Sequence, residues 1–493
     1  MQRMVLDADA AYLAFKARDA RFDGRLFVGV TSTGVYCRPV CRVRTPRREN
    51  CRFFDTRAQA EAASFRPCLK CRPEIAPGLS QMDSSRELAD TAARMIEHAV
   101  HGGAPLALPA LAARLGVTDR HLRRIFQAVH GVAPHDYLTT QRLLLAKQLL
   151  TDTGQPVTQV ALASGFASLR RFNAAFVERY RLNPSGLRRE RGAPKAAAPL
   201  RLAWRPPYDV DGVLRFFAQR QVAGVEQVEG LVLRRTLGWP IQGQQGQQGQ
   251  REARALGWLE ARFVPERHEL HLQASPSLAP CLGAVLQAVR QGLDLDADPA
   301  RIDPVLDRVP GATRPGTRLP GALDGFEQAV RIILGQQVTV KAARTLTERL
   351  VQRFGAAIET PWTALNRVFP DAATLAAADA EAIGTLGIVR QRVRALQALA
   401  QAVAEGRIAL HRGAPLAGTL AALRALPGIG DWTVQLIAMR VLAWPDAWPA
   451  SDIGLMNALG TRDPKAVAAA AEAWRPWRAY AVMKLWQQME NVG

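Results

Sequence analysis

Nowhere in its 493 residues does the chain run eighteen apolar residues together, and Asp7 and Asp9 interrupt the apolar opening MQRMVLDADAAYLAF. No membrane-spanning helix and no secretory signal peptide are expected on that ground. Acidic residues are scarce beside basic ones, 44 Asp and Glu against 64 Lys and Arg, for a formal net charge of +20. That deficit predicts a polyanionic partner, with nucleic acid ahead of an anionic membrane face. Cysteine is sparse as well: of six, only Cys281 lies beyond position 71. What is present is ordinary for a globular chain, 48% apolar and 22% charged, and too long for one hydrophobic core. Three or four domains, cytoplasmic and nucleic-acid-associated, are the expectation.

The positive charge is uneven. Residues 1–200 hold 31 Lys and Arg against 17 Asp and Glu, net +14, while the remainder holds 33 against 27, net +6. Stretches rich in Ala, Pro and Gly at 75–80 and 191–199 read as joints. The run QGQQGQQGQ at 242–250 reads as a surface loop between strand-like segments at 230–237 and 258–264.

Four cysteines form two close pairs, Cys37-x3-Cys41 and Cys68-x2-Cys71, with 26 residues between them. Two such knuckles converge well on one tetrahedral ion, and thiolates suit Zn²⁺. Spacing alone leaves open whether such an ion only staples a small domain. Cys51 and Cys281 have no partner at metal spacing and read as simple buried thiols. The surrounding residues, Thr33-Gly34-Val35-Tyr36-Cys37-Arg38-Pro39-Val40-Cys41-Arg42, Arg48-Glu49-Asn50 and Phe65-Arg66-Pro67-Cys68-Leu69-Lys70-Cys71, resemble the N-terminal domain of Ada-type DNA alkylation-response proteins. The resemblance implies that one Zn²⁺ sits on all four thiolates and that Cys37 accepts a methyl group from a DNA methylphosphotriester. Metal-held thiolate is nucleophilic without a general base. Its methylation moves the site from net −2 to net −1, which favours DNA binding. The basic flank Arg38, Arg42, Arg44, Arg47 and Arg48 is expected to supply the opposing attraction.

Residues 86–190 read as helical. A short helix at 109–115, a turn at Gly116-Val117 and an N-cap at Thr118 precede a second helix at 119–129. The pattern returns with 157–164, Gly165-Phe166, Ser168 and a helix at 169–180. Arg120, His121, Arg123 and Arg124 crowd the first turn of one second helix; Arg170, Arg171 and Asn173 crowd the other. Such residues can read base edges in a major groove, or merely make a basic bundle face. Two units ending in Tyr180-Arg181-Leu182-Asn183-Pro184-Ser185 resemble the AraC-type DNA-binding domain.

From Trp204 the texture becomes α+β and then helical. Leu426-Pro427-Gly428-Ile429-Gly430-Asp431-Trp432-Thr433 suits a hairpin between helices, its glycines providing tight dihedrals and its exposed N–H groups a phosphate seat. Taken alone it is equally an ordinary αα-turn, and Asp452, 22 residues beyond Gly430, is equally a helix cap. With Arg205-Pro206-Pro207-Tyr208-Asp209, Ile333-Leu334-Gly335-Gln336-Gln337-Val338 and Trp474-Arg475-Pro476-Trp477-Arg478, residues 200–490 resemble AlkA-type 3-methyladenine DNA glycosylases of the helix-hairpin-helix superfamily. The resemblance implies that Asp452 stabilises an oxocarbenium-like sugar or activates water, that Gly428 and Gly430 hold DNA, that Gln337 enters the gap left by a flipped nucleotide, and that Trp432, Leu436 and Trp486 line the base pocket. Leu436 stands where the family has a tyrosine, and Gln337 where it has an apolar wedge. Trp432 fills the place of a lyase lysine, so a monofunctional enzyme is expected. Cys281 alone cannot support the four-cysteine iron–sulfur cluster of some relatives, and no Pro-Cys-His-Arg segment marks an O6-methylguanine methyltransferase domain.

The expected fold is multidomain and mainly α with α+β parts. It comprises a zinc methyl-acceptor domain (1–78), an AraC-type double helix-turn-helix (84–190), a linker (191–200), an α+β subdomain (201–316) and a helix-hairpin-helix glycosylase domain (317–493). The expected function joins phosphotriester repair and activation of the adaptive response to excision of alkylated bases. The competing class is a transcription regulator whose C-terminal half binds DNA without catalysis. The expected partners are double-stranded DNA, alkylated and at a promoter, with RNA polymerase as a further one and no membrane; the expected location is the cytoplasm, on the nucleoid.

Overall fold

A computed structural model describes residues 8–18, 22–23, 26–75, 81–101, 106–152, 154–191, 199–240, 254–311 and 314–490. The Gln/Gly run at 242–250 and most of the two joints lie outside them. The chain divides into two compact units, residues 1–93 with 107–137, and residues 94–106 with 138–493.

In the first unit, strand Phe27–Val30 pairs antiparallel with both Val35–Cys37 and Cys51–Phe54, and Arg66–Pro67 adds in parallel beside Val35–Cys37. Gly34 turns the tight hairpin at φ +65°. Two small apolar clusters surround the sheet, one built on Phe15, Leu26 and Val28, the other on Phe27, Tyr36 and Phe65. Helix Arg57–Ala62 starts at a capping box between Thr56 and Gln59, which satisfies two otherwise orphaned N–H groups. The same unit holds helices Leu108–Arg114 and Asp119–His130, joined through Gly116 at φ +68°. Thr118 caps the second, its hydroxyl accepting the His121 N–H.

The second unit contains the other helix pair, Val157–Ala163 and Leu169–Tyr180, with Ser168 capping by accepting the Arg171 N–H. Both helix-turn-helix turns therefore fall where glycine and hydroxyl spacing placed them, with boundaries shifted by a residue. Further on, a five-stranded antiparallel sheet runs in the order Leu200–Ala203, Glu269–Ala274, Arg254–Val264, Val232–Pro240, Glu226–Glu229. Helices follow from Gly325–Leu334 to Arg478–Glu490. Phe216, Val222 and Val225 from the sheet-bearing part share one buried cluster with Ile333, Leu350, Ile437 and Met483 of the helices. Among the described residues no helix is long and apolar enough to cross a membrane.

Candidate metal centre, helix-turn-helix faces and C-terminal cleft

The two cysteine pairs meet. Strand Val35–Cys37 carries Cys37 into the turn that holds Cys41, and the parallel pairing of Arg66–Pro67 delivers Cys68 and Cys71 alongside. The four sulfurs lie within 4.8 Å of one another and are buried. A tetrahedral zinc–thiolate site spaces its sulfurs at roughly 3.8 Å, given Zn–S near 2.3 Å, so small side-chain adjustments suffice to bind the ion. The Val43 and Arg38 backbone N–H groups donate to the sulfurs of Cys41 and Cys71. Donation from Cys37 and then Cys71 holds Cys41 below the usual thiol range, and the same bond with Cys41 pushes Cys37 up. One negative charge is thus shared comfortably; four thiolates require a cation. Among the described residues this is the one cluster of His, Cys, Asp and Glu with metal-binding geometry.

Cys51 and Cys281 are separate buried thiols that donate to the Arg47 and Leu278 carbonyls, and burial pushes Cys281 up to about 11. The basic flank is smaller than its sequence suggests. Arg38 is fully buried, its Nε 2.7 Å from Asp23 Oδ1 and its terminal nitrogen on Oδ2, so it braces the domain rather than facing solvent. Arg48 pairs with Asp9 at 2.9 Å and lies over Phe53, whereas Arg44 and Arg47 are exposed.

On helix Asp119–His130, Arg120, Arg123 and Arg124 are exposed and His121 half-buried; Leu122, Ile125 and Phe126 face inward. Arg123 is paired with Asp119 at 2.8 Å, and Arg124 reaches His121 Nδ1 at 3.0 Å. On helix Leu169–Tyr180, Arg170, Arg171 and Asn173 are all exposed, opposite buried Phe172 and Phe176.

In the C-terminal half, helices Leu416–Arg424 and Asp431–Arg440 form the hairpin. The glycines in it differ. Gly428 sits at φ +76°, and a Cβ there would come within 3.1 Å of the Ala395 Cβ. Gly430 has φ −86° and ψ 174°, which any residue adopts, and a Cβ on it would meet nothing within 4 Å. Only Gly428 is a conformational requirement. No side chain caps the Asp431–Arg440 helix, so its first N–H groups point outward. Gln336 Nε2 donates to the Gly428 carbonyl (3.0 Å) and Thr433 Oγ1 (2.9 Å), locking the hairpin to the end of helix Gly325–Leu334; Gln337, next in sequence, is exposed at φ +54°.

Asp452 caps helix Ile453–Ala458, Oδ1 accepting the Leu455 N–H at 3.1 Å. It also does more than cap. Trp486 Nε1 donates to Oδ1 at 3.0 Å and Trp432 Nε1 to Oδ2 at 2.9 Å, so two indoles hold one carboxylate that is 7% exposed. Gly454 allows this approach, since a Cβ on it would lie 3.0 Å from Asp452 Oδ1 and 3.1 Å from Trp486 Cδ1. Asp452, Trp432, Leu436, Trp486, Gln337, Gly428 and Gly430 all line one cleft of about 1,360 Å³. The chain brings together residues separated by more than a hundred positions. Spacing and composition do not single out Gln336 or Gly454; their neighbourhood to Gln337 and Asp452 is the one signal that points to them.

A buried thiolate quartet, two capped helix-turn-helix units and a hairpin beside a cleft-lining aspartate define a multidomain DNA-repair protein with helix-hairpin-helix glycosylase architecture. Four family models match in succession: the metal-binding domain of Ada (residues 10–74), a helix-turn-helix domain (111–190), the AlkA N-terminal domain (199–324) and the HhH-GPD superfamily of base excision DNA repair proteins (330–476). A probable bifunctional transcriptional activator/DNA repair enzyme AlkA of Mycobacterium tuberculosis is 36% identical over 502 residues, covering 98% of this chain and 97% of that protein. The chain belongs to that family. DNA-3-methyladenine glycosylase 2 of Escherichia coli is 34% identical across 58% of this chain and 95% of its own length. The Escherichia coli bifunctional transcriptional activator/DNA repair enzyme Ada is 34% identical across 33% of this chain and 43% of its own length.

Proposed function

We propose that the chain repairs alkylated DNA in two ways and reports the damage to a promoter. The observation that carries the enzymatic part is Asp452, fixed by two indole N–H groups and a helix N-terminus at the wall of a cleft beside the phosphate-binding hairpin. Oδ1 accepts two hydrogen bonds and Oδ2 one, which leaves acceptor capacity on Oδ2 for positive charge developing at a sugar C1′. As the N-glycosidic bond breaks, its electron pair leaves with the base; water then adds to C1′ and loses a proton. Trp432 and Trp486 offer π-faces to a flipped, cationic alkylated purine. No lysine stands at the reacting position, in keeping with hydrolysis without strand cleavage.

At the cysteine quartet, a bound zinc ion would keep the thiols ionised at neutral pH. Cys37 Sγ then attacks the methyl carbon of a phosphotriester, the C–O bond breaks, and the phosphodiester leaves with the electron pair. Exposed Arg44 and Arg47, with Arg120, Arg124, Arg170 and Arg171, hold the DNA backbone, and His121 and Asn173 approach base edges. Burial does not single out Cys37 among the four, since Cys68 is slightly more accessible; the family resemblance supports the choice. Incubation with methylated DNA followed by peptide mass spectrometry tests it: one methyl on Cys37 is expected, and methyl on Cys68, or none, overturns the assignment. Release of 3-methyladenine from the same DNA tests the glycosylase.

A further inference from the structure

The cleft does not stop at the aromatic pair. Trp432, Leu436 and Arg440 follow one another at i, i+4 and i+8 on helix Asp431–Arg440, and all three line it. Arg440 thus lies about 12 Å along the helix from Trp432, toward the end of the cleft away from the Trp432–Asp452 contact. Arg440 is 8% exposed and has no carboxylate partner among the described residues. Its Nε donates to the Pro320 carbonyl at 2.9 Å, while its terminal nitrogens donate to no group among the described residues. Its guanidinium lies 4.6 Å from the centroid of Phe216, against which Arg220 also lies, at 3.9 Å. Burial, with Arg220 and Arg331 nearby, pushes Arg440 well below the usual arginine range, the mark of an under-compensated cation.

The nearby acids compensate it only in part, through Glu226 at a distance. Glu327, which also lines the cleft, commits one oxygen to Arg235 at 2.6 Å and the other to Arg331 at 3.0 Å. Glu226 completes the square by taking Arg331 at 2.7 Å and Arg235 at 3.5 Å. Two arginines thus balance two glutamates, and Arg440 stands outside the set. Beside it Gln328, also 8% exposed and lining the cleft, has a side-chain amide with no partner among the described residues. Neither belongs to the side chains whose unpaired polar atoms are sealed from solvent; both open into the cleft, where a bound molecule can pair them.

Resting on the glycosylase reading above, we infer that Arg440 and Gln328 form a recognition site for the far edge of the flipped base, built for purines carrying a carbonyl at position 6. A 6-oxo purine presents an acceptor to the Arg440 donors. A 6-amino purine presents a donor to the donor-only guanidinium and can pair only with the Gln328 carbonyl, which leaves the buried Arg440 charge without its acceptor. Leu436 contributes by bearing no polar group to satisfy that edge earlier in the cleft. Guanine-type lesions and hypoxanthine are therefore favoured over adenine-type lesions of equal leaving ability.

The test is the ratio of methylated guanines to methylated adenines released from dimethyl-sulfate-treated DNA by wild type and by Arg440→Met. Loss of the charge-assisted hydrogen bond should lower that ratio by roughly tenfold. An unchanged ratio in a folded variant overturns the inference. Free-base binding to the wild-type chain, followed by quenching of tryptophan fluorescence, serves as an independent readout that needs neither catalysis nor a foldable variant. Tighter binding of hypoxanthine than of adenine supports the site, and equal or reversed affinity refutes it. If wild type releases no base at all, the glycosylase reading fails, and the titration still decides the recognition site.

Discussion

Replacing Asp452 by Asn tests the carboxylate more sharply than its near-identical shape suggests. The carboxylate accepts three hydrogen bonds, from Leu455 N–H and Trp486 on Oδ1 and from Trp432 on Oδ2. Asn supplies one oxygen. With that oxygen kept where two donors converge, its NH₂ faces the Trp432 indole N–H, donor against donor. The lost charged hydrogen bond costs about 1.5–3 kcal/mol, and each kcal/mol lowers the melting temperature by roughly 2–4 °C for a domain of this size. Catalysis suffers separately, because a neutral amide no longer opposes charge at C1′; removal of one such electrostatic partner lowers the rate by ~10²–10³. Single-turnover release of 3-methyladenine, measured well below the melting transition, reads the second effect; thermal unfolding reads the first. Adding Trp432→Phe to Asp452→Asn removes the opposed donor, so stability should recover while the rate does not. Strictly additive stability losses in that double-mutant cycle, beyond ~0.5 kcal/mol of error, would refute the donor conflict. Wild-type rates for Asp452→Asn would refute the chemistry.

Gly428→Ala, forced to φ +76° against Ala395, should destabilise by about 1–2 kcal/mol, whereas Gly430→Ala should leave stability unchanged and lower DNA affinity; urea titration and fluorescence anisotropy separate the two. Arg120→Ala should reduce the slope of log affinity against log salt by ~0.9, and Arg123→Ala by less, because Asp119 already neutralises Arg123; equal slopes would show the pair opens on DNA. Asp294 is half-buried, accepts the Leu319 N–H and the Tyr480 hydroxyl, and is pushed up to about 6 by loss of solvation. Since its folded value is raised, the native state keeps a proton that the unfolded chain releases, and the stability this contributes, about 3 kcal/mol, is present near pH 4 and lost as pH rises to 6. Asp294→Asn should flatten that window in urea midpoints measured from pH 4 to 7; parallel curves for both proteins would refute it.

Local chemistry was legible from the residues. Cysteine spacing foretold the quartet, and Thr118 and Ser168 foretold both recognition-helix starts, because knuckles and caps are made within a few residues. The helix-cap reading of Asp452 holds, and it does not consume the carboxylate: Oδ1 serves the helix while Oδ2 faces Trp432. Long-range pairing was not legible. Nothing in the pattern around Arg38 announces Asp23, so an arginine counted toward a DNA-facing flank is a buried brace. Nor does spacing reveal that Trp432 and Trp486, 54 positions apart, share one carboxylate, or that Arg440 stacks on Phe216 from far along the chain. Periodicity reports which face is covered, not what covers it.

The buried cluster that joins Phe216, Val222 and Val225 to Ile437 and Met483 bears on how such a chain can be assembled in evolution. Cutting between the sheet-bearing part and the hairpin helices would expose both halves of one core, so neither is a portable piece. The metal-binding segment carries apolar clusters of its own. Recombination can therefore move it, or replace the domains downstream of it, without asking the rest to refold. A fusion that keeps this core whole should therefore break before residue 200 rather than within it.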